Sequence, residues 1–172
     1  MSTTTRPERN EAAEYYFTYI EKVRDGDIIR TLESQGPETL TLLRGISEEK
    51  SLYRYQPGKW TMRDVMAHVN DTERVFVFRA LWFARGCEGA LPSFDQDVAV
   101  PTAAANERSW RSHVDEFEHV RAATVAFFRN VTTSAWTRRG VASGYEFTVR
   151  ALAFITAGHV AHHMKILRER YL

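Results

Sequence analysis

The sequence predicts an all-α protein, a four-helix bundle with long connections. Two observations carry this. Four long segments repeat their apolar residues at helical spacing, and alternating, β-branched strand patterns are nearly absent. The segments between them are too long for minimal helix hairpins. At 172 residues the chain reads as one domain with a full core.

Residues 1–9 are polar and are expected to form a flexible, frayed N-terminus, with the bundle domain running from 10 to 172. Asn10 to about Arg24 reads as the first helix, with Tyr16, Tyr19, Ile20 and Val23 on one side. Asp25-Gly26-Asp27 stops it, and Asp27 is placed to cap a second piece from Ile28 to about Ser34. Gln35-Gly36-Pro37 is expected to break that piece, with Pro37 in the first turn of the next. Residues 47–58 read as a loop that begins with a helical turn.

The second long helix opens at Trp60-Thr61, where Thr61 and Asp64 resemble a capping box. It runs to about Arg85, and Gly86 ends it. Its inward stripe is Val65, His68, Val69, Thr72, Val75, Phe76, Arg79 and Phe83, so a histidine and an arginine share the apolar face. Residues 87–105 show no periodicity and read as a long loop. Phe94, Asp95 and Asp97 either fold over a pocket mouth or belong to a solvated acidic loop. Asn106 to about Asn130 forms the third long helix, with Trp110, Val114, Phe117, Val120, Arg121, Thr124 and Phe128 inward. His113 lies at the stripe's edge and His119 opposite, both read as exposed or ordinarily packed. Gly140, Ser143 and Gly144 suit a turn or short hairpin before the last helix, Thr148–Leu172.

That last helix carries three of the six histidines: His159, His162 and His163. Leu152, Ile155, His159, His163 and Ile166 fall on one stripe, with His162 off its centre. Two imidazoles one turn apart reach a common point, the i,i+4 geometry of paired metal ligands. A pair of core histidines hydrogen-bonded to neighbours is the other reading. If the helix bearing His68 packs alongside, three imidazoles converge, and a three-histidine set leaves an open coordination position. Nitrogen ligands of this kind suit zinc, nickel or iron. Val160 follows His159, so the segment is not the HExxH of zinc peptidases. No GxSxG, glycine-rich phosphate loop or CxxC pair occurs.

Net charge +1 gives no basic bias toward nucleic acid. The single cysteine, Cys87, excludes an intramolecular disulfide and suits a reducing compartment. No apolar signal region or membrane-length apolar run is present, so a cytoplasmic location is expected, without a membrane partner.

Three blocks, KWTMRDVMAHVNDTERVFVFRALWFARG, LPSFDQD and VRALAFITAGHVAHHMKILRERYL, resemble the DinB/YfiT-like superfamily in this order, over about Tyr16 to Leu172. The resemblance implies a bundle of up-down-down-up connectivity and a divalent metal held by His68, His159 and His163. Relatives include thiol-dependent enzymes using mycothiol, bacillithiol or glutathione, and metal-dependent hydrolases; none of this implies DNA binding. Val160 stands where relatives often carry a polar or acidic residue, which removes one acid–base group. Three functions follow as expectations. One is metal-activated transfer of a low-molecular-weight thiol to a small-molecule substrate. The others are hydrolysis with metal-activated water, and non-catalytic metal or small-molecule binding in a stress protein. Arg79 and Arg121 are candidates to pair with a carboxylate of thiol or substrate, or to form structural ion pairs with Glu73 or Glu118. Asp95 and Asp97 are candidates from the pocket-mouth loop. A homodimer is among the open assembly states.

Overall fold

The structure, a computed structural model, describes residues 5–172. Six α-helices follow in order: α1 (Phe17–Ile20), α2 (Ile28–Arg44), α3 (Met62–Ala84), α4 (Gln96–Thr102), α5 (Trp110–Arg129) and α6 (Val149–Ile166). A hairpin of β1 (Arg139–Ala142) and β2 (Tyr145–Thr148) precedes α6. Its two-residue turn has both Ser143 and Gly144 at positive φ, 54° and 81°, which matches the right-handed twist of the strands.

Helices α2, α3, α5 and α6 form the bundle. Ion pairs Arg129–Glu33 and Arg44–Glu118 run α2 and α5 antiparallel. The contacts Arg63 to Arg108, Asn70 to His113 and Arg121 to Glu73 set α3 and α5 parallel. The Tyr171 hydroxyl donates to the Trp60 carbonyl and Arg138 donates to that of Ala84, so α6 runs antiparallel to α3. The resulting order is up-down-down-up, which the long connections permit and a chain of short hairpins would not. The core is built from Leu32, Phe83, Phe117, Phe128, Phe154 and their neighbours, all buried.

Several local readings are corrected. The N-terminal segment expected to fray lies partly outside the described residues. From Arg6 onward it is anchored: Arg6 bonds Asp25 and the Ile20 and Val23 carbonyls. The helix expected over Asn10–Arg24 is instead two 3₁₀ turns, Arg9–Glu11 and Glu14–Tyr16, then α1. In this segment Glu11 is buried, where it accepts from Thr148 and pairs with Arg150 at the start of α6. The break expected at Gln35-Gly36-Pro37 does not occur, and α2 is continuous. Its stripe stays in phase through Ile28, Leu32, Gly36, Leu40 and Leu43. Pro37 sits on the exposed side of the helix, off the buried stripe. The 87–105 segment holds α4, capped by Asp95, whose side chain accepts from the Asp97 amide. Among the described residues no helix is long and apolar enough to cross a membrane.

Candidate metal centre

The start of α3 is set by the Thr61–Asp64 capping box, in which each side chain accepts from the other's backbone N–H. Asn106, in the 3₁₀ turn Ala105–Glu107 that precedes α5, bonds both side chains. His68 sits two turns into this fixed helix. Helix α6 is capped by Thr148, whose hydroxyl accepts from the Ala151 amide. Because α3 and α6 are antiparallel neighbours, the early part of α3 meets the later part of α6, and His68 faces His159 and His163.

The three rings converge through one kind of atom. His159 Nε2 lies 3.1 Å from His68 Nε2 and 3.1 Å from His163 Nε2, and the nitrogens of all three lie within 4.8 Å of one another. All three side chains are buried. Burial pushes the His68 pKa down to about 4 and those of His159 and His163 well below the ordinary imidazole range, with the neighbouring histidines adding to the effect. The rings are therefore neutral at pH 7, the state a metal requires.

The arrangement fits a metal on its own geometry. Two nitrogens at the zinc–nitrogen distance of about 2.0–2.1 Å stand roughly 3.3 Å apart at a tetrahedral angle, close to the observed 3.1 Å. The Thr72 hydroxyl lies 3.3 Å from His68 Nδ1, placed to orient that ring. His163 Nδ1 is buried without a hydrogen-bond partner among the described residues. Aromatic side chains wall the cluster: Trp60 against His68, Phe76 against His159, and Tyr19 edge-on to His159 and His162.

One side is open. A cavity of about 120 Å³ begins at His68 and His159 and is lined further by Tyr15, Tyr16, Tyr19, Thr72, Phe76, Arg79, Phe94, Gln96 and Ser143, with Val75. No aspartate or glutamate lines it. Arg79, on the inward stripe of α3, reaches this cavity as its cationic group. Arg121 does not: its guanidinium forms a two-pronged pair with Glu73 at 2.9 and 2.8 Å and donates to Gln35. The structural ion pair is therefore the correct reading for Arg121. Asp95 and Asp97 are exposed and stand outside the cavity, although their neighbours Phe94 and Gln96 line it. Capping α4 turns the Asp95 carboxylate to the backbone instead. His162 is half-buried and His119 exposed, whereas His113 is fully buried with Nε2 on the Ala105 carbonyl.

Sequence reasoning did not place Tyr16, Tyr19 or Ser143 at the site. The tyrosines read as packing residues of a first helix, and Ser143 as a turn residue. Gly158 was the one available signal. A Cβ there would meet the Tyr19 carbonyl oxygen at 2.1 Å, so the N-terminal segment lies directly on α6 beside His159.

Solved structures of the same architecture exist. YfiT from Bacillus subtilis, described as a probable metal-dependent hydrolase with an unusual four-helix bundle topology, superposes with a TM-score of 0.65 at 16% identity, covering 98% of this chain and 94% of that one. The mycothiol-dependent maleylpyruvate isomerase superposes with a TM-score of 0.66 at 15% identity over 80% of this chain, which spans 58% of the isomerase's length. At these identities the likeness shows the fold. No curated protein matches the chain by sequence. The DinB superfamily model does match, over residues 31–167, a span that takes in the bundle from α2 to the end of α6 with all three converging histidines, and the chain belongs to that superfamily.

Proposed function

We propose that His68, His159 and His163 hold a divalent metal, zinc, nickel or iron, and that the protein is an enzyme transferring a low-molecular-weight thiol to a small electrophilic substrate. The observation that carries the reading is the convergence of three buried, neutral imidazoles at the edge of a cavity free of carboxylates. Bound there, the metal would hold the thiol as its thiolate, the nucleophilic form. The protein's part is positional. Burial keeps the histidines unprotonated, Thr72 orients His68, and Tyr19, Phe76 and Trp60 exclude water from the ligand side. With its proton released to solvent, such a thiolate would attack the electrophilic carbon without a protein base, and the electron pair displaced from that carbon would leave with the departing group or take a proton from solvent, so the missing carboxylate is no obstacle. Hydrolysis gains from a general base and general acid, and beyond the histidines the cavity offers phenols, hydroxyls, Gln96 and Arg79.

Hydrolysis, with water in place of the thiol, is the second reading, favoured by the description of YfiT over nearly the whole chain. Two measurements test the pair. Elemental analysis of protein purified without a metal-affinity column should find one metal per chain. The loaded protein is then incubated with mycothiol, bacillithiol or glutathione plus electrophiles, and separately with ester and amide panels. Thiol-dependent turnover is expected. Thiol-independent turnover would favour hydrolysis, silence in both would leave a binding protein, and a metal-free protein that takes up no added metal would refute the site.

A further inference from the structure

The chain buries three arginines among its described residues: Arg63, Arg79 and Arg121. Arg63 pairs with Glu48 and Arg121 with Glu73. Arg79, only 3% exposed, has no carboxylate within ion-pair distance among the described residues. Taking an ion out of water costs several kcal/mol unless a counterion and hydrogen bonds offset it. Arg79 finds only neutral acceptors: Nη2 donates to the Pro92 carbonyl at 3.0 Å and the Ser143 hydroxyl at 2.9 Å. Tyr16 stands beside the guanidinium. The contacts to Pro92 and Ser143 fix the group in place, and Ser143 makes its contact from a left-handed backbone position.

The guanidinium shares its cavity with His68 and His159. Eleven residues separate Arg79 from His68 on α3, about 16 Å of helix at 1.5 Å per residue. Helical side chains lean toward the N-terminus, so Arg79 reaches back toward the histidines. The cavity thus has a nitrogen-ligand end and a cationic end, with no acidic group between them.

We infer that the Arg79 end is an anion subsite and that the electrophilic substrate is a compact carboxylic acid, its carboxylate on Arg79 and its reacting carbon toward the histidines. The inference rests on the proposed enzymatic reading for the second half of that statement, but the subsite itself does not require metal. A guanidinium offers a planar fork of donors that a carboxylate accepts in two parallel bonds. At about 120 Å³ the space lies well below the roughly 300–1,000 Å³ of sites for drug-sized ligands, which selects a short acid. The bulk of a low-molecular-weight thiol must then extend out through the mouth, leaving Arg79 to the co-reactant.

The test uses chelator-treated full-length protein, titrated with acetate, propionate and butyrate, with the matching amides, and with inorganic phosphate, followed by thermal shift and by NMR of the arginine side-chain N–H groups. Carboxylates are expected to raise the melting temperature and move one arginine resonance, with the amides at least on the order of tenfold weaker. Arg79→Gln should abolish the carboxylate response, and Arg79→Lys should recover part of it. Equal responses to acids and amides, or stronger binding of phosphate than of any acid, would overturn the inference. So would a carboxylate response that survives in Arg79→Gln. The acid-against-amide contrast in the unsubstituted protein stands even if Arg79→Gln fails to fold. Metal content is measured separately: a protein that binds acids through Arg79 but takes up no metal sinks the thiol-transfer reading and the substrate's role with it while the anion subsite stands, and a protein that takes up metal but shows no Arg79-dependent acid binding sinks this inference alone.

Discussion

Acid should destabilise the metal-free protein through His68, by an amount that follows from the structure. Burial holds its folded pKa at about 4, against about 6.5 in the unfolded chain. Above pH 6.5 the ring is neutral in both states and contributes no pH dependence. Below it, the unfolded chain takes up a proton that the folded protein refuses, so stability falls with pH until the folded pKa is reached. For a single site with these two values the loss is on the order of 1 kcal/mol at pH 5.5 and about 3 kcal/mol near pH 4. At roughly 2–4 °C per kcal/mol for a chain of this size, the first figure is about 2–4 °C. Carboxylates elsewhere also titrate, so the assay is a comparison. Urea unfolding of chelator-treated wild type and His68→Gln is measured from pH 7.5 to 4.5, and the difference between the two is read against pH. It should shift in favour of His68→Gln by about the amounts above. A difference that stays flat down to pH 5.5 would refute the claim that the folded protein keeps this ring neutral. Metal-loaded wild type should lose more on acidification, because up to three protons compete with the metal for its ligands.

Other outcomes follow from the same geometry. His159→Ala and His163→Ala should each remove most metal binding by elemental analysis, while His162→Ala and His119→Ala retain it; loss in His162→Ala alone would assign the ligand to the wrong neighbour. Glu73→Ala strands the buried Arg121 charge and should cost about 3–5 kcal/mol of unfolding free energy, read from urea midpoints, with metal content unchanged. Loss of metal from folded Glu73→Ala would tie Arg121 to the site after all. Gly158→Ala forces a methyl against the Tyr19 carbonyl and should destabilise by about 1–3 kcal/mol. Hydrogen exchange should quicken over residues 12–23, and unchanged protection there would show that the contact is not tight.

The long helices and their phase are legible from the order of residues alone. Apolar period, the Thr61–Asp64 and Asp27 caps and the Gly86 stop are local chemistry, and α3, α5 and α6 lie where these place them. His68, His159 and His163 were legible for the same reason: a polar ring on an apolar stripe has to be buried, and two of them one turn apart must meet. Local signals misled where a distant partner outweighed them. The turn residues Gln35-Gly36-Pro37 predicted a break, yet burial of one stripe against α5 keeps α2 continuous. The first segment has helical spacing, but Glu11 pairs with Arg150 and Thr148, far away in sequence, a partnership that no local pattern encodes. Tertiary structure alone decided which inward arginine is structural. Arg79 and Arg121 occupy equivalent stripe positions on their helices, and only the packing of α3 beside α5 gives one of them Glu73. The same holds for the open side of the histidine cluster, since it sets residues of α3 and α6 against others from the second 3₁₀ turn, α1, the hairpin turn and the start of α4, which no spacing within one helix relates.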